Sequence, residues 1–219
     1  MKFEIAAGKP AAYLYKWAFI LAYITIFYNL LEGIVSVILG FEDETLSLFG
    51  FGVDSFVEVI SGIGIWHMLT RIKNRGEESR DEFEKTALKI TGTAFYLLVV
   101  GLTVTAIYNF IIDHKPETTL WGIVISLISI VTMTLLINYK LKVGKALNSN
   151  ALIADANCTK TCLYLSVVLL ASSIGYELTG IGGIDSLGAV AIAWFSFKEG
   201  KEAFEKARTG KECGCDDHD

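Results

Sequence analysis

The chain has 219 residues, of which 53% are apolar or aromatic and only two are proline, and its mean hydropathy is +0.48. Several apolar stretches exceed the roughly 18 residues needed to cross a hydrocarbon core, and their connections are short, which leaves little chain for a separate soluble domain. The formal charge of −5 carries no message about nucleic acid, because acidic and basic residues divide between the two sides of a membrane; no nucleic-acid partner is expected.

Residues 1–16 form a polar segment with Lys2, Lys9 and Lys16. No apolar core precedes Trp17 and no cleavage-like end follows, so a cleavable signal peptide is not expected. Six apolar spans are then read at about 17–40, 47–70, 87–111, 118–139, 151–174 and 183–198. They predict an all-α membrane protein, a six-transmembrane-helix bundle over 17–199, with a short tail at 200–219. Span one holds Asn29 and Glu32; span two holds Asp54, Ser55, Glu58 and Ser61. The charged stretch 71–85 reads as a loop, and Asp113-His114-Lys115-Pro116-Glu117 as a tight turn in which the proline stops span three. Spans three and four are mostly apolar. Span five holds Asp155, Asn157, Cys158, Lys160 and Cys162. Ser173 to Asp185, with Gly180, Gly182 and Gly183, reads as a flexible loop, and Asp185 and Ser186 open span six. From Lys198 onward the helix is expected to emerge into the cytoplasm, ending in a tail that carries Cys213, Cys215 and His218.

Placing the N-terminus inside collects nearly all the lysines and arginines outside the spans on one face, leaving Lys115 on the other beside acidic residues such as Glu42, Asp43 and Glu44. This asymmetry predicts that both termini are cytoplasmic, most naturally at the cell membrane.

Asp54 and Glu58 are four residues apart, and so are Cys158 and Cys162. That spacing puts each pair on one helix face, one turn apart. Carboxylates and thiols are expensive at membrane depth, and together the four can hold one divalent metal ion. At about 1.5 Å per residue, Asp54 and Glu58 lie roughly 10 and 16 Å from one face, Cys158 and Cys162 roughly 12 and 18 Å from the other. In a core of about 30 Å the pairs meet at one level. Two like charges one turn apart repel in a low dielectric, so one carboxyl should hold a proton until a cation arrives. Neither cysteine pair suggests a disulfide, because i,i+4 thiols on a helix have poor bridging geometry and the tail pair faces a reducing compartment.

These residues carry a resemblance to the cation diffusion facilitator family of divalent-metal/proton antiporters. Val53-Asp54-Ser55-Phe56-Val57-Glu58 stands where the family has two ligands four apart in its second helix. Ala154-Asp155-Ala156-Asn157-Cys158-Thr159-Lys160-Thr161-Cys162 stands where its fifth helix reads Ala-Asp-x-x-His-x-x-x-Asp. Asn148-Ser149-Asn150-Ala151-Leu152 and Gly183-Ile184-Asp185-Ser186 also resemble the family. The resemblance implies one metal site of Asp54, Glu58, Cys158 and Cys162, with Asn29, Asp155 and Asp185 as accessory candidates. Two cysteines replace the usual imidazole and carboxylate; thiolates favour softer ions, so zinc or cadmium is expected as cargo rather than magnesium or calcium. The family normally adds a ferredoxin-like cytoplasmic domain, expected to be missing here along with its dimer contact, which leaves a homodimer open.

The implied function is secondary active export of a divalent transition-metal ion from the cytoplasm in exchange for protons. Its partners would be metal ions, protons and the lipid bilayer, with no prosthetic cofactor. The alternative is a non-transporting metal-binding membrane sensor or partner subunit. An enzyme is not expected: no nucleophile stands with a base, and His67, His114 and His218 are scattered. Asp155 either guides ions or caps the start of span five, and Lys160, about 200° around the helix from the cysteines, points away from them. Cys213, Cys215 and His218 form either a metal-capturing tail or a solvated acidic end.

Overall fold

Backbone polar groups find no water in hydrocarbon, so each apolar stretch must satisfy its own, and a helix does this within one segment. The computed structural model, which describes residues 11–75 and 82–209, has six helices. They are α1 (Ala11–Glu42), α2 (Leu46–Arg75), α3 (Glu82–Ile111), α4 (Leu120–Leu147), α5 (Asn150–Thr179) and α6 (Gly183–Thr209). No strand occurs among the described residues. The expected all-α bundle is the fold.

Among the described residues, α1 to α5 are long and apolar enough to cross a membrane, and α6 is not. The sixth span expected over 183–198 is too short an apolar run, because Lys198, Glu199, Lys201 and Glu202 cut it off. The helix itself does not stop there. It continues to Thr209, and Ala203, Lys206 and Ala207 are buried, so packed structure passes the boundary expected at residue 199.

Neighbour relations close the helices into a ring, α1–α2–α3–α6–α5–α4 and back to α1, with α2 also touching α5 and α6 across it. The outward faces carry large apolar side chains such as Phe27, Leu31, Leu97 and Leu178, all exposed, as lipid contact requires. Inside, Leu48, Phe51, Leu102, Leu165, Leu169 and Ile192 form one packed cluster. The α1–α2 contact is close enough that a Cβ on Gly40 would fall 2.5 Å from the backbone nitrogen of Phe49, which is the use small residues have between membrane helices.

Three connections gather at one end of the bundle. The Glu117 N–H donates to the Asp43 carbonyl at 3.0 Å, the Thr45 hydroxyl to the Thr118 carbonyl at 2.9 Å, and His114 Nε2 lies 3.4 Å from a Glu44 oxygen. The flexible loop expected over 173–185 is instead mostly helix. α5 runs to Thr179 and is closed by Gly180 at φ 66°, a left-handed cap that glycine adopts without a Cβ clash. At the opposite end Asn148 closes α4 at φ 50°, and the Ser149 side chain accepts the Leu152 N–H to start α5.

Candidate metal centre

Because α2 touches both α5 and α6, its polar face meets theirs inside the ring. Asp54, 3% exposed, accepts a hydrogen bond from the Ser196 hydroxyl of α6 at 3.0 Å. One turn on, Glu58 accepts from two helices: the Asn29 amide of α1 at 2.9 Å and the Cys162 thiol of α5. Cys158, one turn before Cys162, accepts from the Lys206 ammonium at 3.3 Å. Both cysteines are free thiols.

The structure therefore brings Glu58 and Cys162 into contact and turns the other two expected ligands toward α6. Among the described residues, no three His, Cys, Asp or Glu side chains stand close enough together to hold a metal ion as they are. What the centre has is a cavity of about 50 Å³, lined by Glu58, Cys158, Cys162, Asp155, Glu199 and Lys206 among others. That exceeds the ~10–15 Å³ that one water needs. Asn29 and Thr91 line it too, and Asn29 Oδ1 and Thr91 Oγ1 are buried oxygens without a hydrogen-bond partner among the described residues. Carboxylate, thiol, amide and hydroxyl donors around a small space are of the kinds that ligate a cation.

The accessory candidates separate. Asn29, 1% exposed, positions Glu58 as above. Glu32 on the same helix accepts from Tyr28 at 2.8 Å and from Ser55 at 3.2 Å, so it braces α1 against α2. Asp155 lines the cavity and pairs with Lys140 of α4 at 2.9 Å; capping of α5 falls to Ser149 instead. Asp185 lies away at the connection end, where it accepts the Leu46 N–H at 2.8 Å, the Ser47 N–H at 3.1 Å and the Ser47 hydroxyl. It is the N-terminal cap of α2, an anion where the helix dipole favours one. Lys160 donates to Asn157 at 2.8 Å. Cys213, Cys215 and His218 lie outside the described residues.

Glu199 and Lys206 escaped the sequence reading, which assigned everything after Lys198 to the emerging tail. A signal was present: Ser196, Glu199, Ala203 and Lys206 follow one another at steps of three and four, the repeat of a single helix face.

The profile of the cation efflux transmembrane domain matches residues 18–209. An uncharacterized transporter of Methanocaldococcus jannaschii is 28% identical over 169 residues, 75% of this chain and 59% of that protein. Transmembrane protein 163 of Xenopus laevis is 28% identical over 141 residues, 64% of this chain and 49% of that protein. The chain thus spans about half to three-fifths of the length of these curated relatives. With the profile running from the first turns of α1 to the end of α6, the chain belongs to the cation efflux transmembrane domain family.

Proposed function

We propose that this chain carries a divalent transition-metal ion, zinc- or cadmium-like, out of the cytoplasm in exchange for protons, and that Asp54, Glu58, Cys158 and Cys162 close on the ion together. One observation carries the reading: inside the bundle a thiol of α5, Cys162, donates a hydrogen bond to a carboxylate of α2, Glu58. Thiolate is the ligand form of cysteine, so a metal ion that binds both groups must release that proton. A proton returning from the far side restores the pair and frees the metal. That contact supports exchange of metal for proton, and family membership supports a cation as the cargo.

The two thiols favour a borderline or soft ion over a hard one. Glu58, Cys158 and Cys162 already line the cavity and Asp54 lies one turn from Glu58, so closing on the ion calls for a movement of α2 that brings Asp54 in. Such movement suits alternating access, in which helix groups rock about a fixed site near mid-membrane. The distribution of lysine and arginine supports a cytoplasmic position for the ends of α2 and α4 and for both termini.

The test is reconstitution into liposomes with a metal-indicator dye. Flux of cadmium or zinc that follows the imposed pH gradient, and reverses with it, is the expected result. Metal binding without flux would overturn the transport reading in favour of a sensor or partner subunit.

A further inference from the structure

Lys206 stands where an arriving cation would. It is 8% exposed and lines the cavity with Glu58, Asp155, Cys158, Cys162 and Glu199. Its ammonium is 3.3 Å from Cys158 Sγ and 2.7 Å from a carboxylate oxygen of Glu202, one turn earlier on α6. Among the described lining residues it is the one basic side chain, facing three carboxyl groups and two thiols.

These contacts of the ammonium differ in kind. Cys158 belongs to the cavity, whereas Glu202 is 42% exposed and lies toward solvent. A lysine is a compact charge on a flexible four-carbon stem, able to shift its weight between two anchors without moving its helix. An ammonium donating to Cys158 opposes a metal ion at the same sulfur, because like charges repel across so short a gap.

We propose that Lys206 is a tethered cation that holds Cys158 between turnovers and surrenders it to the cargo, withdrawing to Glu202. It thereby lowers the apparent affinity for metal by the fraction of time it occupies the sulfur. After release it refills the acidic cavity with positive charge, which resets the carrier. This rests on the reading of Cys158 as a ligand, and Lys206 acts through that residue as a positioning group.

The experiment is a Cd²⁺ titration of the purified full chain in detergent, followed by the thiolate-to-cadmium absorption band and by competition with a chelator. Lys206→Met keeps the length and removes the charge, and should bind Cd²⁺ about tenfold tighter, within the usual range of coupling between two sites. Lys206→Arg keeps the cation and should return affinity toward wild type. Glu202→Gln removes the charge of the resting place at a half-exposed position, and should weaken binding. That opposite shift keeps the test decisive even if Lys206→Met does not fold. Wild-type affinity in both the Met and Gln variants, with Cys158→Ala impaired, overturns the tethered cation and leaves the ligand reading standing. Wild-type affinity and an undiminished band in Cys158→Ala overturn both.

Discussion

Asp54 and Glu58 are one turn apart on α2 yet bond to different helices, Ser196 of α6 in one case and Asn29 with Cys162 in the other. Asp54→Asn retains an acceptor for the Ser196 hydroxyl while removing the charge. Its stability should stay within about 1 kcal/mol of wild type, the value of one ordinary hydrogen bond. Its affinity for Cd²⁺ should fall at least about a hundredfold, the upper end of what loss of an outlying partner alone costs. Thermal melting and metal titration on one preparation check both halves, and unchanged affinity would remove Asp54 from the ligand set. That the two carboxyls share one helix face and the two thiols another was legible because i,i+4 spacing survives folding unchanged. Lys140 was not. It reads as one basic residue among several in a loop, whereas it is 1% exposed, paired with Asp155 and bonded to Thr159. Spacing along one helix identifies which residues share a face; it does not tell which neighbouring helix supplies a countercharge.

That ion pair belongs to the scale of elements, since it joins α4 to α5 beside the cavity. Lys140→Met leaves the buried Asp155 without its countercharge beside the cavity and should cost about 3–5 kcal/mol, as breaking one side of a buried pair does. Adding Asp155→Asn should recover most of the loss, because replacing both partners removes the uncompensated charge. Denaturant or thermal unfolding of the two single variants and the double variant measures the coupling; a double variant no better than Lys140→Met alone would show that the pair is not what holds the helices. Helix cores were legible from hydropathy, while helix ends were not. Three glycines near residue 180 signal a break of unspecified length, and only Gly180 at φ 66° turns the chain. At the other extreme, charge after Lys198 ends a hydropathic stretch without ending a helix, because α6 continues to bury Ala203 and Ala207.

For the whole molecule, the basic residues of both tails and of the segments after α2 and α4 predict one cytoplasmic face. A membrane-impermeant thiol reagent should label Cys213 and Cys215 only after the membrane is opened. Labelling of intact, right-side-out cells would reverse the orientation. The opposite face holds a further consequence, in Asp185. By taking the first N–H groups of α2 from a place on the first turn of α6, this carboxylate joins the two helices that flank the cavity at their starting points. Any swing of the two helices would pivot about this shared rivet. α6 has 27 residues, about 40 Å of lever at 1.5 Å each, so a swing of only about 5° carries its far end roughly 3 Å, enough to free or crowd a metal-sized space. Asp185→Ala should loosen the rivet at a cost of about 1–2 kcal/mol, the value of a lost cap. It is expected to leave Cd²⁺ affinity near wild type while slowing flux in liposomes, and normal flux would mean that the bundle pivots elsewhere. A residue far from the metal would then set the stroke of the machine, as a fulcrum sets the reach of a lever it never touches at the working end.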